Sequence, residues 1–284
     1  VRNTALDERR DARTQEANMI ARSDRRLRGG AASVSIALLA SVSFAQPAPA
    51  PAAASARDPG AMAVVDRMAR KIAAAQALRV DGEIAWDVVQ ADGQTLEFGA
   101  TRELVMKRPD QLRANLVLRE GGARQLYYDG KQVVLYEPAQ RVYASVARSG
   151  PVTDVAEFVG GRLGVPVALA ELLDPDLATT LPAKIDFASF VGTETLDGVE
   201  CDHVAVRNEK AGMQLWVGKK DSLPRRITIT YEHEEGRPQF RARFANWDLS
   251  PRVSGATFVF APPKDVERIA FAVRGTAQPG EGSR

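Results

Sequence analysis

Between Met106 and Ala144 the chain reads MKRPDQLRANLVLREGGARQLYYDGKQVVLYEPAQRVYA, and this stretch narrows the possible folds more than any other. Leu112, Ala114, Leu116 and Leu118 alternate with polar residues, and the alternation returns at Leu126 and Tyr128. A period of two belongs to a strand with one dry face. Asp129-Gly130 between such runs is a pair that type I′ hairpin turns favour, because both central residues need positive φ. The stretch therefore reads as four short antiparallel strands joined by tight turns. It contains no assembled set of catalytic groups.

The same reading extends in both directions. Asp58-Pro59 opens a helix to about Ala77, with Val65, Met68, Ile72 and Ala75 at spacings of three and four. Two long strands follow, Val80–Val89 and Thr95–Met106, joined at Asp92-Gly93. From Pro151 to Leu181 the period becomes helical, and Pro166, Pro175 and Pro182 cut the region into short helices. Strands resume at Asp186–Thr193, Glu200–Arg207, Met213–Gly218, Arg225–Glu232 and Gln239–Asp248, with turns at Asp197-Gly198 and Glu235-Gly236. The expectation is a mainly β (α+β) chain: about eleven antiparallel strands curved into a half-open barrel, with a helical lid on its concave side.

The first 60 residues speak to compartment. Arg25, Arg26 and Arg28 precede an uncharged apolar run, Ala31–Ala45, that ends in Ser43-Phe44-Ala45. It is shorter than the roughly 20 residues that span a bilayer, so it reads as a cleavable signal peptide cut after Ala45. Residues 1–18 read as leader, with Met19 a candidate initiator, and the export route, general or twin-arginine, stays open. The expected organisation is leader and signal 1–45, an Ala/Pro-rich linker 46–60, one domain 61–274, and a Gly/Ser-rich disordered tail 275–284. No cysteine follows the apolar run to accept an acyl anchor, so the mature protein is expected to be periplasmic and not membrane-spanning. Removing 1–45 takes away eight of 38 basic and five of 36 acidic residues and leaves a net charge of −1. That is no field for phosphate backbones, which sets nucleic acid aside as a partner. Cys201 is the single cysteine, so no internal disulfide forms.

Candidate chemistry is sparse. Cys201-Asp202-His203 offers two metal-ligand types, but strand alternation puts Cys201 and His203 on one face and Asp202 on the other. The only further histidine is His233. A structural pair in the barrel wall is the better reading, with no metal and no cofactor expected. There is no Gly-x-Ser-x-Gly elbow and no phosphate-cradling glycine loop, and Glu234-Glu235 reads as a solvated hairpin tip. Tyr127, Tyr128, Tyr136, Tyr143 and Trp216 lie on successive strands, as cross-strand packing or as the rim of a cavity. Arg225 and Arg226 beside Pro224 start a strand, to meet a lipid head group or a neighbouring carboxylate.

Met106–Arg113, Tyr127–Pro138, Val191–Asn208 (VGTETLDGVECDHVAVRN), Gln214–Tyr231 (QLWVGKKDSLPRRITITY) and Pro238–Trp247 (PQFRARFANW) together resemble a family of periplasmic proteins, domain of unknown function 2092. That family looks like a branch of the lipoprotein-carrier superfamily of LolA, LolB and RseB. The resemblance implies a half-barrel and helical lid around an apolar cavity, and a binding module rather than an enzyme. The expected ligand is hydrophobic, a lipid or a lipoprotein acyl chain. Phe158, Leu163, Leu169, Leu172 and Leu173 of the insert are the candidate cavity or lid residues. The rival expectation is a sensor or scaffold that binds another envelope protein through its sheet surface.

Overall fold

The computed structural model describes residues 56–162 and 170–271, which fall in one compact unit, 51–284. The expected signal peptide, most of the expected linker, Leu163, Leu169 and the expected tail from 275 lie outside the described residues.

Helix α1, Pro59–Ala73, starts where Asp58 accepts a hydrogen bond from Ala61 N at 2.9 Å, and Pro59 takes a first-turn position that needs no donor. Its apolar stripe, Val64, Val65, Met68, Ala69 and Ile72, is at most 2 % exposed. The helix ends four residues before the expected Ala77, because Ala77 already pairs with Lys107 in the sheet.

The sheet runs β1 (Ala77–Val89), β2 (Thr95–Lys107), β3 (Gln111–Leu118), β4 (Ala123–Tyr128), β5 (Gln132–Glu137) and β6 (Val142–Ala147). Then comes the insert: α2 (Val152–Arg162), a 3-10 turn (Ala170–Leu173) and α3 (Leu177–Ala183). Strands β7 (Phe187–Leu196), β8 (Val199–Arg207), β9 (Ala211–Gly218), β10 (Pro224–Tyr231) and β11 (Gln239–Asp248) complete the antiparallel set. A 3-10 turn (Gly255–Phe258) and β12 (Glu267–Ile269) end it. All twelve strands form one open sheet, ordered β12-β6-β5-β4-β3-β2-β1-β11-β10-β9-β8-β7. The two long runs of hairpins meet where β1 pairs with β11, Trp86 opposite Phe240.

The eleven expected strands are β1–β11. The twelfth, three exposed residues laid parallel on β6, carries no alternation by which a sequence could announce it. The turn at Asp129-Gly130 differs from expectation. Only Gly130 has positive φ, 90°, and Asp129 Oδ1 instead accepts from Lys131 N and Gln132 N, both 2.9 Å away, which makes a three-residue connection. The two-residue turn with both central residues at positive φ is Asp197-Gly198, at 49° and 77°.

One face of the sheet, here the inner face, carries the core: Leu78, Val80, Leu104, Met106, Leu112, Val204, Leu215, Val217 and Ile227 pack with α1, α2 and α3. The outer face is an ion-pair lattice, with Arg79 and Glu103 at 2.7 Å, Arg241 and Asp87 at 2.8 Å, and Arg243 and Asp197 at 2.8 Å.

Candidate functional site

Among the described residues the inner face is sealed at one end and uncovered at the other. On β1, Leu78, Val80 and Ile84 are 1 %, 4 % and 6 % exposed, Trp86 is half-buried, and Val88 is 38 % exposed. Its neighbour β2 shows the same gradient in the opposite chain direction, from buried Met106 and Leu104 through half-buried Phe98 to Leu96 at 37 %. Ile227, Ile229 and Tyr231 repeat it on β10, and Leu215 and Met213 on β9. Strand alternation alone would bury each series uniformly. What differs is cover: Ile72 near the C-terminal end of α1 and Leu172 and Leu173 of the insert lie over the closed end.

The uncovered strip is built from large side chains. Trp86 and Phe98 face each other across β1 and β2 with ring centroids 6.3 Å apart, and Leu116, Leu118, Met213 and Ile229 pack beside the core without being sealed by it. Leaving such side chains in water forgoes about 1.5–3 kcal/mol each relative to full burial, which is the drive to recruit an apolar partner. Between Ala170-Glu171 of the insert and β9–β10 the strip opens into a hollow of ≈ 670 Å³, floored by Ala211, Met213 and Ile229 and rimmed by Glu171, Asn208, Lys210, Tyr231, His233 and Glu234.

Among the described residues the closed end is filled. Leu172 and Leu173 close over Ile72, Leu78, Val80, Leu104, Phe244 and Trp247 and leave a void of only ≈ 20 Å³, enough for about one water and no acyl chain. Arg102 borders the same void, its guanidinium pulled down to about 10 by burial and so still charged at neutral pH. Arg108 holds the closure. Its Nε donates to Ala75 O at 3.0 Å and its Nη1 to Leu173 O at 2.5 Å, tying the insert to the end of α1. Burial pushes the Arg108 guanidinium below its ordinary value, while Asp174 raises it.

Of the five insert residues expected to line a cavity, Leu172 and Leu173 meet at this void, and Leu173 is 4 % exposed. Phe158 sits apart on α2, half-buried against the core with the Arg148 guanidinium 5.0 Å from its ring. The strip residues Trp86, Phe98, Met213, Ile229 and Tyr231 escaped sequence reasoning, because inner-face residues at both ends of a strand look alike. Their one legible mark is nearness to hairpin turns.

The remaining candidates are structural. Asp202 faces inward to Arg67 of α1 at 3.0 Å, while His203 faces outward, its Nδ1 2.9 Å from Glu194 and its ring stacked on Trp216. Burial pushes the Cys201 thiol up, against thiolate chemistry. Among the described residues no three His, Cys, Asp or Glu side chains come together as a metal site. Tyr127, Tyr136 and Tyr143 share the outer face and surround Phe260 of the C-terminal segment, with ring centroids 5.4, 5.1 and 5.1 Å away. Tyr128 faces inward, fully buried, and donates to Gly150 O at 2.5 Å. Arg225 pairs with Asp221, and Arg226 lies over Trp216 at 4.7 Å. The outer face has its own hollow of ≈ 670 Å³, polar, between Asp197 and Arg243 on one side and Glu103, Asn115 and Val117 on the other.

The described residues thus form an open sheet with helices on its inner face and an apolar strip at one end. The chain belongs to the family described as predicted periplasmic protein (DUF2092), whose model matches residues 61–272. Among solved structures it is similar to lipoprotein LppX of Mycobacterium tuberculosis, at 10 % identity over 69 % of this chain and 100 % of that one, with a TM-score of 0.43. LprF of Mycobacterium bovis is similar at 12 % identity over 75 % and 100 % of the two chains, with a TM-score of 0.45. A LolA superfamily protein of Nitrosomonas europaea is similar at 10 % identity over 70 % and 97 %, with a TM-score of 0.30. No curated protein matches the chain.

Proposed function

We propose that this is a non-enzymatic periplasmic binding protein, exported by a signal peptide within residues 1–45, that takes a hydrophobic ligand such as a lipid or a lipoprotein acyl chain. The observation that carries the reading is the gradient of cover along the inner face. The ligand enters at the uncovered strip, with Trp86, Phe98, Met213 and Ile229 as its floor. It reaches the closed end only if Leu172 and Leu173 withdraw, since that end has no space for it. Withdrawal is cheap for a short 3-10 turn held by few bonds. Export of the precursor, purification from the periplasm and native mass spectrometry test this. A retained lipid mass is the expected result, lost in Ile229→Asp, which puts an uncompensated charge on the floor. A well-folded protein that carries no lipid and binds no fluorescent acyl probe at micromolar concentration defeats the proposal.

A second reading has its own support. The filled closed end and the polar outer hollow suit a sensor or scaffold that binds another envelope protein through its sheet surface. In that case Ile229→Asp leaves partner capture intact, and Arg243→Glu on the outer face abolishes it.

A further inference from the structure

We propose that the hollow at the open end selects a zwitterionic amphiphile, one whose head joins an ammonium to a phosphate diester, as in a membrane phospholipid. This rests on the hydrophobic-ligand reading above and adds to it the class of head group.

The argument begins with which charges reach the rim. Lys210 stands on the turn between β8 and β9, and Glu234 on the turn between β10 and β11, so charges of opposite sign come from two neighbouring hairpins. Neither has an ion-pair partner within 4.0 Å among the described residues. The third charge, Glu171 on the insert, lies 3.5 Å from Lys184. With Lys184 counted, these charges sum to zero, and the contact of His233 with Glu209 O sets the turns of Lys210 and Glu234 side by side. A purely anionic head would gain Lys210 and meet Glu234 and Glu171. A purely cationic head would meet Lys210. Only a head with both charges satisfies Lys210 and Glu234 at once.

Local structure keeps these groups in place. Asn208 Oδ1 accepts from Lys210 N and Ala211 N, both at 2.9 Å, which fixes the turn that presents Lys210. His233 Nε2 lies 2.7 Å from Glu209 O, and a carbonyl only accepts, so Nε2 carries a proton and donates it across the two turns. Burial, with Glu234 and Glu171 adding, pushes the Tyr231 phenol up and keeps it an O–H donor. Beneath this rim, Ala211, Met213 and Ile229 form an apolar floor that leads onto the strip. The hollow's ≈ 670 Å³ falls within the range of about 300–1,000 Å³ typical of small-molecule sites.

The test titrates the full chain by calorimetry with lysophosphatidylethanolamine, lysophosphatidylglycerol and palmitate, each below its micellar concentration. The zwitterionic probe is expected to bind about tenfold more tightly than either anionic one. Lys210→Glu should weaken it by about fivefold, and Glu234→Lys should move the preference toward lysophosphatidylglycerol. Both positions are exposed, and unchanged circular dichroism certifies the fold of each variant. Equal binding of all three probes, or a preference untouched by both variants, overturns the head-group assignment and leaves the hydrophobic-ligand reading standing. Binding of none of them by folded protein overturns that reading, and the assignment with it.

Discussion

The two ends of the inner face carry the same kinds of side chain on the same strands, yet one is a core and the other a surface. Ile227 and Ile229 make the contrast at its smallest. They are the same residue, on the same face of β10, two positions apart, one 1 % exposed and the other half-buried. The difference arises in what lies above them: Ile227 belongs to the sealed core, whereas Ile229 floors the hollow beside Ala170 and Glu171. A half-barrel whose helices fall short of one end keeps an apolar surface in reserve, and that is the physical basis for reading this protein as a binder.

The sharpest way to break this comparison is to truncate both isoleucines. Ile227→Ala should lose about 3–4 kcal/mol of unfolding free energy, the cost of a cavity in a sealed site, whereas Ile229→Ala should lose about 1 kcal/mol or less. Urea midpoints with unchanged m-values measure both. Equal losses would mean that the open end is as well packed as the closed one, and the contrast would fall.

Arg108→Met probes the closure itself. It removes the guanidinium that joins Leu173 O to Ala75 O, and should lower the opening free energy of residues 170–183 by about 1–3 kcal/mol in hydrogen exchange while α1 keeps its protection. If the insert's protection is unchanged, packing by Leu172 and Leu173 holds it without the clamp.

The smallest expected effect lies on the outer face at the open end. The side-chain hydrogen bond from Arg241 lowers the Asp87 pKa below its ordinary 3.8, helped by Gln239 N and opposed by burial. A depressed carboxylate contributes stability that is present above the unfolded-state value and is lost as pH falls through the folded-state one. Asp87→Asn should therefore be less stable than the parent by about 1 kcal/mol or less above pH 4, with the gap closing in more acidic solution. A gap that persists there would point to a packing role for Asp87 instead.

Much of the architecture was legible because it is local. Alternation at Leu112–Leu118 and Leu126–Tyr128 marks strands, Asp58-Pro59 a helix start, and Pro175 the break between the 3-10 turn and α3; Pro182, expected to cut the insert, lies inside α3, and Pro166 is outside the described residues. Each signal depends on a few neighbouring residues and on backbone preferences that hold in any context. Burial polarity across each strand follows from the same period, which is why Asp202 and His203 were rightly sent to opposite faces.

The site was decided by the tertiary structure, because cover is a relation between elements far apart in sequence. Nothing in the identity of Trp86, Phe98, Met213 or Ile229 says that α1 will not reach them, and nothing in Arg108 says that its partners are Ala75 and Leu173. The same holds for Tyr127, Tyr136 and Tyr143, whose periodicity allowed packing or a cavity rim, and which close around Phe260 only because the chain returns across the outer face. Alternation is set by the geometry of one strand. Exposure is set by what the rest of the chain leaves uncovered.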